Sequence, residues 1–331
     1  MIWHKCIQFY FHLPIFVRLL LSVCFIMLFF GLFIHLIEPT HFPTLFDGIW
    51  WAFVTGSTVG YGDYVPLSAL GKTVGIFLIL AGGGLVTFYM ATISASTIKH
   101  EKDLSEGKVA FKGSRHIIII GWNERTRQLI DMVKDSSLHQ DIVLVDHTLK
   151  NISYQDHHIH FIQGNPTADN ILQKAKIKDA THIIITSDPS MKENEADRQT
   201  ILNIISARGN NPDIAIVAEI LTEIQRKNAE RAGANVIVRS NNFMSSLFFQ
   251  TIFQASNKAT DIIAKTLEQQ QFCTIPIDEK LTNQTFQTGA KEFLNNNKWL
   301  IGIFRNEEII INPGFEFILK ENDHLIYLRP F

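Results

Sequence analysis

Charge is scarce in the first hundred positions of this 331-residue chain, and the whole chain carries a formal net charge of only −2. A near-neutral chain lacks the basic excess of nucleic-acid-binding proteins, which argues against that class. Cysteine is also scarce. Cys6, Cys24 and Cys273 stand far apart, so they form neither a disulfide framework nor the paired spacing of a zinc site. The sequence is therefore an apolar first third followed by an ordinary charged α/β pattern.

Two apolar runs are long enough to cross a membrane. Residues 19–37 contain no Asp, Glu, Lys or Arg and would form roughly 28 Å of helix, about one hydrocarbon core. A signal peptide fits less well, because no small-residue cleavage site follows the run. The second run carries one charge, Lys72, near its start. We predict spans at about 15–37 and 71–98.

Lysine and arginine set the expected orientation. Lys5 and Arg18 precede the first span, a basic group follows the second, and the segment between the spans has acids but no Lys or Arg before Lys72. The basic group consists of Lys99, Lys102, Lys108, Lys112 and Arg115. The positive-inside rule then predicts a multi-pass cell-membrane protein in contact with lipid, with both termini cytoplasmic.

The segment between the spans, residues 38–70, is too short for a domain, yet it contains the apolar stretch TLFDGIWWAFVTG. Such a stretch must dip back into the membrane. Irregular backbone at that depth is tolerated only where protein buries it or where it lines a water-filled path. Because one chain with two spans can do neither, we predict an oligomer around a pore.

The string TVGYGD follows this stretch, and its glycines permit positive φ, which helps to turn successive carbonyls the same way. Its residues are Thr58, Val59, Gly60, Tyr61, Gly62 and Asp63. The string resembles the selectivity filter of potassium channels, in which backbone carbonyls replace the ion's hydration shell.

That resemblance implies a homotetrameric potassium channel with K⁺ in the filter and a pore helix plus filter at 44–63. It places the Thr58 hydroxyl at the innermost ion site and Asp63 at the outer mouth. It also implies that Trp50 and Trp51 pack against Tyr61 and support it. Val54 stands where some potassium channels carry a buried glutamate, so that coupling is expected to be absent.

Three consecutive glycines, Gly82, Gly83 and Gly84, interrupt the second span. Each costs about 1 kcal/mol relative to alanine inside a helix. Close helix packing is one interpretation. The other, which the resemblance to channel inner helices suggests, is a gating hinge.

The remaining two-thirds of the chain alternates short apolar runs with helical segments, which predicts a doubly wound parallel sheet. Candidate strands lie at 116–121, 141–146, 159–164, 182–187, 213–219 and 235–240. The turn GWNERT keeps Gly121 but has Asn123 and Thr126 at the later positions of GxGxxG, and Asp146 ends the second strand. Nucleotide binding at Gly121 and Asp146 is therefore only weakly supported.

This region resembles an RCK domain, and HIIIIGWNERT is close to the form in MthK-type calcium-gated channels. The order of span, filter, span and RCK domain is most similar to the YugO-type channels of bacilli. The resemblance implies a two-transmembrane prokaryotic potassium channel with a Rossmann-like domain and a small α+β C-terminal lobe. The expected divisions are a pore module 1–98, a linker 99–115, an RCK N-terminal domain 116–240, crossover dimerisation helices 241–269 and the lobe 270–331.

Three kinds of gating signal remain open. By the MthK-type resemblance, Asp197 and Glu219 match two of three calcium ligands and Leu221 takes the third place, which leaves Ca²⁺ or another divalent cation as one candidate. A nucleotide or cyclic dinucleotide is a second. The stretch DHHIHF, with Asp156, His157, His158 and His160, makes pH or a transition metal a third.

Three rival classes do not fit the sequence. A soluble RCK subunit would have no spans, whereas this chain has two. An oxidoreductase would need an intact phosphate loop and a catalytic pair, and a voltage-gated channel would need an arginine-rich helix before the pore; neither pattern is readable here. We therefore expect a ligand-gated potassium channel rather than an enzyme. If its RCK domains form an octameric gating ring, four soluble copies are required, and an internal start at Val109 is a candidate source.

Overall fold

The computed structural model describes residues 13–135, 140–152, 159–253 and 258–330. The chain forms two compact units, Met1–Val238 and Arg239–Phe331. The first unit begins with the apolar helices and ends with a parallel sheet. The second contains two further helices and a small antiparallel sheet.

Helix α1, Ile15–Ile37, begins directly after Pro14. Its buried residues, Val23, Met27, Gly31 and Ile34, recur at helical spacing and define one packed face. Much of the remaining surface is apolar and exposed. At 23 residues the helix is long enough to span a membrane.

Helix α2, Leu45–Gly56, packs closely against α1. Thr44 begins it with a capping box, in which the Thr44 side chain accepts from the Asp47 amide and the Asp47 carboxylate accepts from the Thr44 amide. A Cβ added at Gly31 would lie 2.6 Å from Ile49 Cα. Small residues therefore set the close approach of the two backbones, as is common between membrane helices.

The second apolar helix is longer than predicted. It consists of α3 (Ala69–Leu78), a π-helical segment (Ile79–Gly83) and α4 (Gly84–Ser105), which together form a continuous 37-residue helix. At 1.5 Å per residue it extends about 55 Å, well beyond a hydrocarbon core of about 30 Å. The first seven residues of the expected linker 99–115 are thus helical.

The remaining elements of the first unit form a six-stranded parallel sheet in the order β3-β2-β1-β4-β5-β6, which confirms the predicted doubly wound fold. The strands are β1 Ile117–Ile120, β2 Ile142–Asp146, β3 Ile159–Gln163, β4 His182–Ile185, β5 Ala215–Glu219 and β6 Val236–Val238. The helices are α5 Glu124–Asp135, α6 Asp169–Lys174, α7 Glu193–Asn210 and α8 Glu223–Ala232, with a 3₁₀ turn at Ile177–Asp179. The chain order reverses between β1 and β4, where such sheets bind ligands.

The strands of this sheet are apolar on both faces because helices cover both sides. Ile118, Val143 and Ile183 belong to one buried cluster, whereas Ile119 and Leu144 belong to another. The continuous apolar runs in the sequence follow from this two-sided burial.

The second unit contains α9 (Ser240–Phe253), α10 (Ala259–Gln269) and a four-stranded antiparallel sheet in the order β7-β10-β8-β9. Its strands are β7 Gln270–Pro276, β8 Trp299–Arg305, β9 Glu308–Ile311 and β10 His324–Pro330. Helix α11, Phe286–Asn295, packs on β8 through Phe286 and Phe293. A two-point ion pair between the Arg305 guanidinium and the buried Asp323 carboxylate joins β8 to the turn before β10.

Candidate functional site

The loop after α2 alternates in backbone handedness. Thr58, Gly60 and Gly62 have φ of 65°, 62° and 75°, whereas the intervening Val59 and Tyr61 are not among the positive-φ residues. In an ordinary strand successive carbonyls point to opposite sides, and reversing the hand at every second residue turns them to the same side. The loop can thus present a row of carbonyl oxygens.

Thr58 was not expected to adopt positive φ. A β-branched residue in this region is an outlier, and such strain costs about 1–3 kcal/mol unless its surroundings enforce it. Here the end of α2 holds the loop: the Thr58 amide donates to Thr55 O at 3.1 Å, and the Val59 and Gly60 amides donate to Val54 O at 3.2 and 3.1 Å. The pore-helix terminus therefore fixes the start of the carbonyl row.

The two adjacent tryptophans of α2 make different contacts. Trp50 Nε1 donates to Asp63 Oδ2 at 2.7 Å, and its ring stacks on Tyr61 with centroids 6.2 Å apart. Trp51 instead packs in the helix interface, 5.5 Å from the Phe42 ring. Within this chain, Trp50 is the tryptophan that contacts Tyr61.

The sequence did not point to a second set of contacts around the loop. Tyr64 Oη donates to Asp47 Oδ1 at 2.9 Å, so the carboxylate that caps α2 also holds the residue after Asp63. Glu38, at the end of α1, is buried and accepts from the amides of Leu67 and Ser68 at 3.0 and 2.8 Å. The Thr-x-x-Asp spacing at 44–47 could have predicted the capping box. No sequence pattern predicted the contacts of Glu38 and Tyr64.

One chain does not enclose an ion path. The side chains of Val59 and Tyr61 are 56% and 69% exposed, and a Cβ added at Gly60 or Gly62 would have no neighbour within 4 Å. Apolar side chains and a carbonyl row at membrane depth require further protein around them. The geometry therefore agrees with assembly of several copies.

The three glycines of the second apolar helix have different surroundings. Gly82 is buried, and a Cβ there would lie 3.1 Å from both Met27 Cε and Leu78 Cδ1. A Cβ at Gly83 would meet only Gly56 O, at 3.9 Å, and one at Gly84 would meet nothing within 4 Å. Close packing therefore accounts for Gly82, whereas Gly84 is unconstrained within the chain.

The turn GWNERT follows β1 at the carboxyl edge of the parallel sheet, and its side chains bond to its own backbone amides. The Asn123 amide donates to Thr126 Oγ1 at 2.9 Å and the Thr126 amide donates to Asn123 Oδ1 at 3.1 Å, which caps α5 reciprocally. Gly121 has φ of 96°, and a Cβ there would lie 2.9 Å from Thr186 Oγ1. The first-turn amide of Thr126 is thus already bonded within the chain.

Asp146 lies in a cleft beside this turn, but its oxygens are also in use. Oδ2 accepts from the Trp122 amide at 2.8 Å, and Oδ1 accepts from the amides of Thr148 and Leu149 at 2.6 and 2.7 Å. The lining is mixed: it has polar side chains, among them Asn165, Gln199, Thr200 and Asn203, and apolar ones, among them Ile120, Val145 and Met191.

Asp197 and Glu219 lie in different hydrogen-bond networks. Asp197 is fully buried on α7, and its two oxygens accept from the amides of Leu221 and Thr222 at 2.8 and 2.9 Å. Leu221, which cannot coordinate a cation through its side chain, thus contributes a backbone donor. Asp197 thereby fixes the turn between β5 and α8.

Glu219, at the end of β5, forms an ion pair with the Arg125 side chain. Its Oε2 accepts from the Ser187 amide at 2.9 Å and lies 3.2 Å from the Arg125 guanidinium. Its Oε1 is buried and accepts from no described residue. Over the described ranges, no group of three or more His, Cys, Asp or Glu is placed to hold a metal ion.

The histidine stretch is only partly described. Asp156, His157 and His158 lie outside the described residues. His160 Nε2 donates to Val109 O at 2.8 Å, which ties β3 to the segment before the sheet.

Comparison with known proteins decides the family. The ion channel family matches residues 22–99, and the TrkA-N domain family matches residues 117–240. YugO of Bacillus subtilis (strain 168), which carries the description of a potassium channel protein, is 37% identical over 95% of both chains. The calcium-gated potassium channel TvoK of Thermoplasma volcanium is 32% identical over 88% of this chain and 84% of its own. The chain belongs to the potassium channels that carry a TrkA-N (RCK) domain.

Among solved structures, the GsuK channel bound to NAD aligns with 96% of this potassium channel at a TM-score of 0.52 and 17% identity. The alignment covers 58% of the GsuK chain. This likeness shows a shared fold. The named relatives are channels rather than enzymes, which confirms the prediction that this chain is not an oxidoreductase.

Proposed function

We propose that four copies of this channel conduct K⁺ through a filter built from Thr58, Val59, Gly60, Tyr61, Gly62 and Asp63. The alternation of backbone handedness through this loop carries the proposal, because it turns the carbonyls of successive residues toward one path. Rings of such oxygens replace the hydration shell that K⁺ must shed. The Thr58 hydroxyl completes the innermost ring, and Asp63 lies at the outer mouth.

The surrounding contacts keep the filter in shape. Trp50 holds both Asp63 and Tyr61, and the Val54 carbonyl holds the inner end through two amides. Val54 leaves no carboxylate behind the filter, so the outer mouth depends on the Trp50 hydrogen bond instead. Trp51 supports the filter indirectly through the α1–α2 interface.

Proteoliposome flux tests the filter assignment. We expect K⁺-driven flux at least tenfold above Na⁺-driven flux for the wild type, and loss of that preference in Gly60→Ala, because a Cβ opposes φ of 62° there. Gly209→Ala, on exposed α7 surface with no neighbour within 4 Å, is the matched control and should behave as the wild type.

We further propose that the gate lies in the lower part of the second span and bends near Gly83 and Gly84, with Gly82 as a packing residue. The basic group Lys99 to Arg115 keeps this end, and both termini, in the cytoplasm. The division into pore module 1–98, TrkA-N domain 116–240, crossover helices 241–269 and lobe 270–331 assigns conduction and sensing to separate parts.

Assembly beyond the pore is proposed from exposed apolar surface. On α9, Phe248, Phe249 and Ile252 are all more than half exposed, which is unusual for a helix that contacts only its own chain. We propose that α9 and α10 pair with those of a second copy. A ring of eight such domains would require four soluble copies, for which a start at Val109 remains the candidate.

The ligand is proposed to bind at the carboxyl edge of the parallel sheet. TvoK is calcium-gated, and the unpartnered Glu219 Oε1 supports a divalent cation here. Arg125 opposes that assignment, since its guanidinium lies against the same carboxylate. A solved GsuK channel has NAD bound, and the cleft beside Gly121 and Asp146, which combines amide and hydroxyl side chains with apolar ones, favours a nucleotide as the second candidate.

Calorimetry on the full-length channel separates these ligands. CaCl₂ or MgCl₂ binding that Glu219→Gln abolishes would assign the cation to Glu219. Asp197→Asn assigns Asp197 as a second ligand only if binding is lost while thermal stability is kept, because this carboxylate also fixes the turn after β5. NAD or ADP binding that Asn203→Leu weakens, with cations inert, would assign the nucleotide. Absence of both would contradict ligand binding at this edge while leaving the filter assignment intact.

A further inference from the structure

The segment that leads from the second apolar helix toward the sheet, residues 105–115, is hydrogen-bonded to the TrkA-N domain at several points. We call it the docking segment. Its carbonyls and amides pair with three separate places: the loop before β3, the end of β3, and the turns around α6. The bonds are Ile152 N to Ser105 O (2.9 Å), Gln163 N to Gly107 O (3.0 Å), Phe111 N to Lys174 O (3.0 Å) and Arg115 N to Asp179 O (2.7 Å).

Gly107 allows the first of these approaches to the sheet. Its φ is 67°, and a Cβ there would lie 2.9 Å from Ile162 C and even closer to Gln163 N. Both neighbours are backbone atoms of β3 and cannot move aside cheaply. A side chain at position 107 would therefore separate the docking segment from the strand.

Phe111 anchors the middle of the docking segment. Its half-buried ring lies 4.5 Å from the His116 ring and 5.4 Å from the His160 ring, and it packs on the main core cluster. Both histidines are held by carbonyls, since His116 Nε2 donates to Ala175 O and His160 Nε2 donates to Val109 O, each at 2.8 Å. The ring thus sits between two fixed imidazoles.

We propose that Phe111 and Gly107 hold the docking segment on the TrkA-N domain, so that a displacement of the domain is transmitted to α4 rather than absorbed by a flexible linker. A free tether of ten residues would have a root-mean-square span of about 17 Å and would absorb displacements of a few ångströms. A docked segment has no such reserve, and α4 ends directly at its first residue, Ser105. The docking itself does not depend on the proposed ligand.

The same contacts bear on any soluble copy that begins at Val109. Such a copy would keep the Phe111 seat and the Val109 carbonyl that His160 holds, but it would lack the Gly107 bond to β3. It would therefore keep the Phe111 contacts but not the Gly107 bond, and it would have no α4 helix to which a movement of the domain could be transmitted.

Hydrogen exchange of the full-length channel, read by mass spectrometry, tests the docking. The Phe111 and Arg115 amides, read from overlapping peptides over 105–115, should exchange slowly, in the range of amides from β2, because they donate to Lys174 O and Asp179 O. Phe111→Ala should raise exchange in this segment and around His160, whereas Lys112→Ala, an exposed neighbour, should not. Complete exchange of the wild-type segment at the earliest time point would overturn the proposal.

Single-channel recording tests the coupling. Phe111→Ala and Gly107→Val should change the open probability about fivefold or more while leaving unitary K⁺ conductance unchanged, because the filter is untouched. Phe111→Leu, which keeps an apolar anchor, should restore much of the wild-type behaviour. Wild-type open probability in both Phe111→Ala and Gly107→Val, with exchange raised in the docking segment, would show that docking does not transmit gating.

Discussion

Thr58 combines a branched Cβ with a left-handed backbone, two properties that rarely occur together. The strain persists because three amides at the loop entrance are tied to the carbonyls of Val54 and Thr55. A glycine would relieve the strain, so the presence of threonine indicates that its hydroxyl has a task. The proposed task is to complete the innermost oxygen ring.

This assignment predicts opposite results for two substitutions of Thr58. Thr58→Ser keeps the hydroxyl and should retain K⁺ affinity, whereas Thr58→Ala removes it and should weaken K⁺ binding about 2- to 10-fold, the range of one hydrogen-bond-sized contact. Calorimetric K⁺ titration of the purified channel measures both. Equal affinity in Thr58→Ser and Thr58→Ala would remove the hydroxyl from the ion site.

The burial of His116 predicts a pH dependence for the stability of the TrkA-N domain. Burial lowers the pKa of this imidazole, against smaller opposing effects from the Ala175 carbonyl, Asp141 and Asp179 and a small further lowering by Lys176. Its contribution to stability is complete above the unfolded pKa of about 6.5 and is lost as pH falls toward the depressed folded-state pKa.

Thermal unfolding of the full-length channel between pH 7.5 and 5 should therefore show a falling Tm for the wild type. His116→Gln keeps a side-chain N–H donor but cannot be protonated, so its Tm should fall less over the same range. His147→Gln, at an exposed histidine, is the control. Parallel curves for His116→Gln and the wild type would contradict the role of His116.

At the scale of elements, the second span is the part that sequence pattern described least completely. The glycines could be recognised in the sequence, but the π-helical segment at Ile79–Gly83 could not, because no residue pattern specifies a change from i−4 to i−5 hydrogen bonding. Such segments often mark functional positions in helices. Here it lies immediately before Gly84, where an added Cβ would meet no atom of the described residues within 4 Å.

Substitution of the glycines should separate packing from bending. Gly84→Ala has room for its Cβ and should stiffen the helix by about 1 kcal/mol, which lowers open probability if the helix bends there. Gly82→Ala must push against Met27 and Leu78 and should lower thermal stability instead. Unchanged gating in Gly84→Ala would place the bend elsewhere.

Every end of the six predicted strands lies within two residues of the observed end, because burial on both faces of the sheet produces a continuous apolar run in the sequence. The bonds of the docking segment were not predicted, because they depend on contacts between residues that are distant in sequence. Its bonds join residues 105–115 to positions up to about 65 residues away, and no local pattern encodes them. The Arg125–Glu219 pair was not predicted either, since it joins α5 to the end of β5.

At the scale of the whole molecule, the chain is incomplete by itself. Residues of the filter loop, both spans and α9 expose large apolar side chains, among them Tyr61, Phe25 and Phe248. Neighbouring copies and lipid are the expected cover for these surfaces. The family relationship gives this exposure its meaning, because potassium channels enclose their ion path between subunits.

The central claim is potassium selectivity through the loop at Thr58–Asp63, and the reversal potential of the purified channel in a planar bilayer tests it most directly. With KCl on one side and NaCl at the same concentration on the other, we predict a reversal potential far from 0 mV with the KCl side negative, because K⁺ permeates and Na⁺ does not. A reversal potential near 0 mV, as for a pore equally permeable to Na⁺ and K⁺, would contradict it.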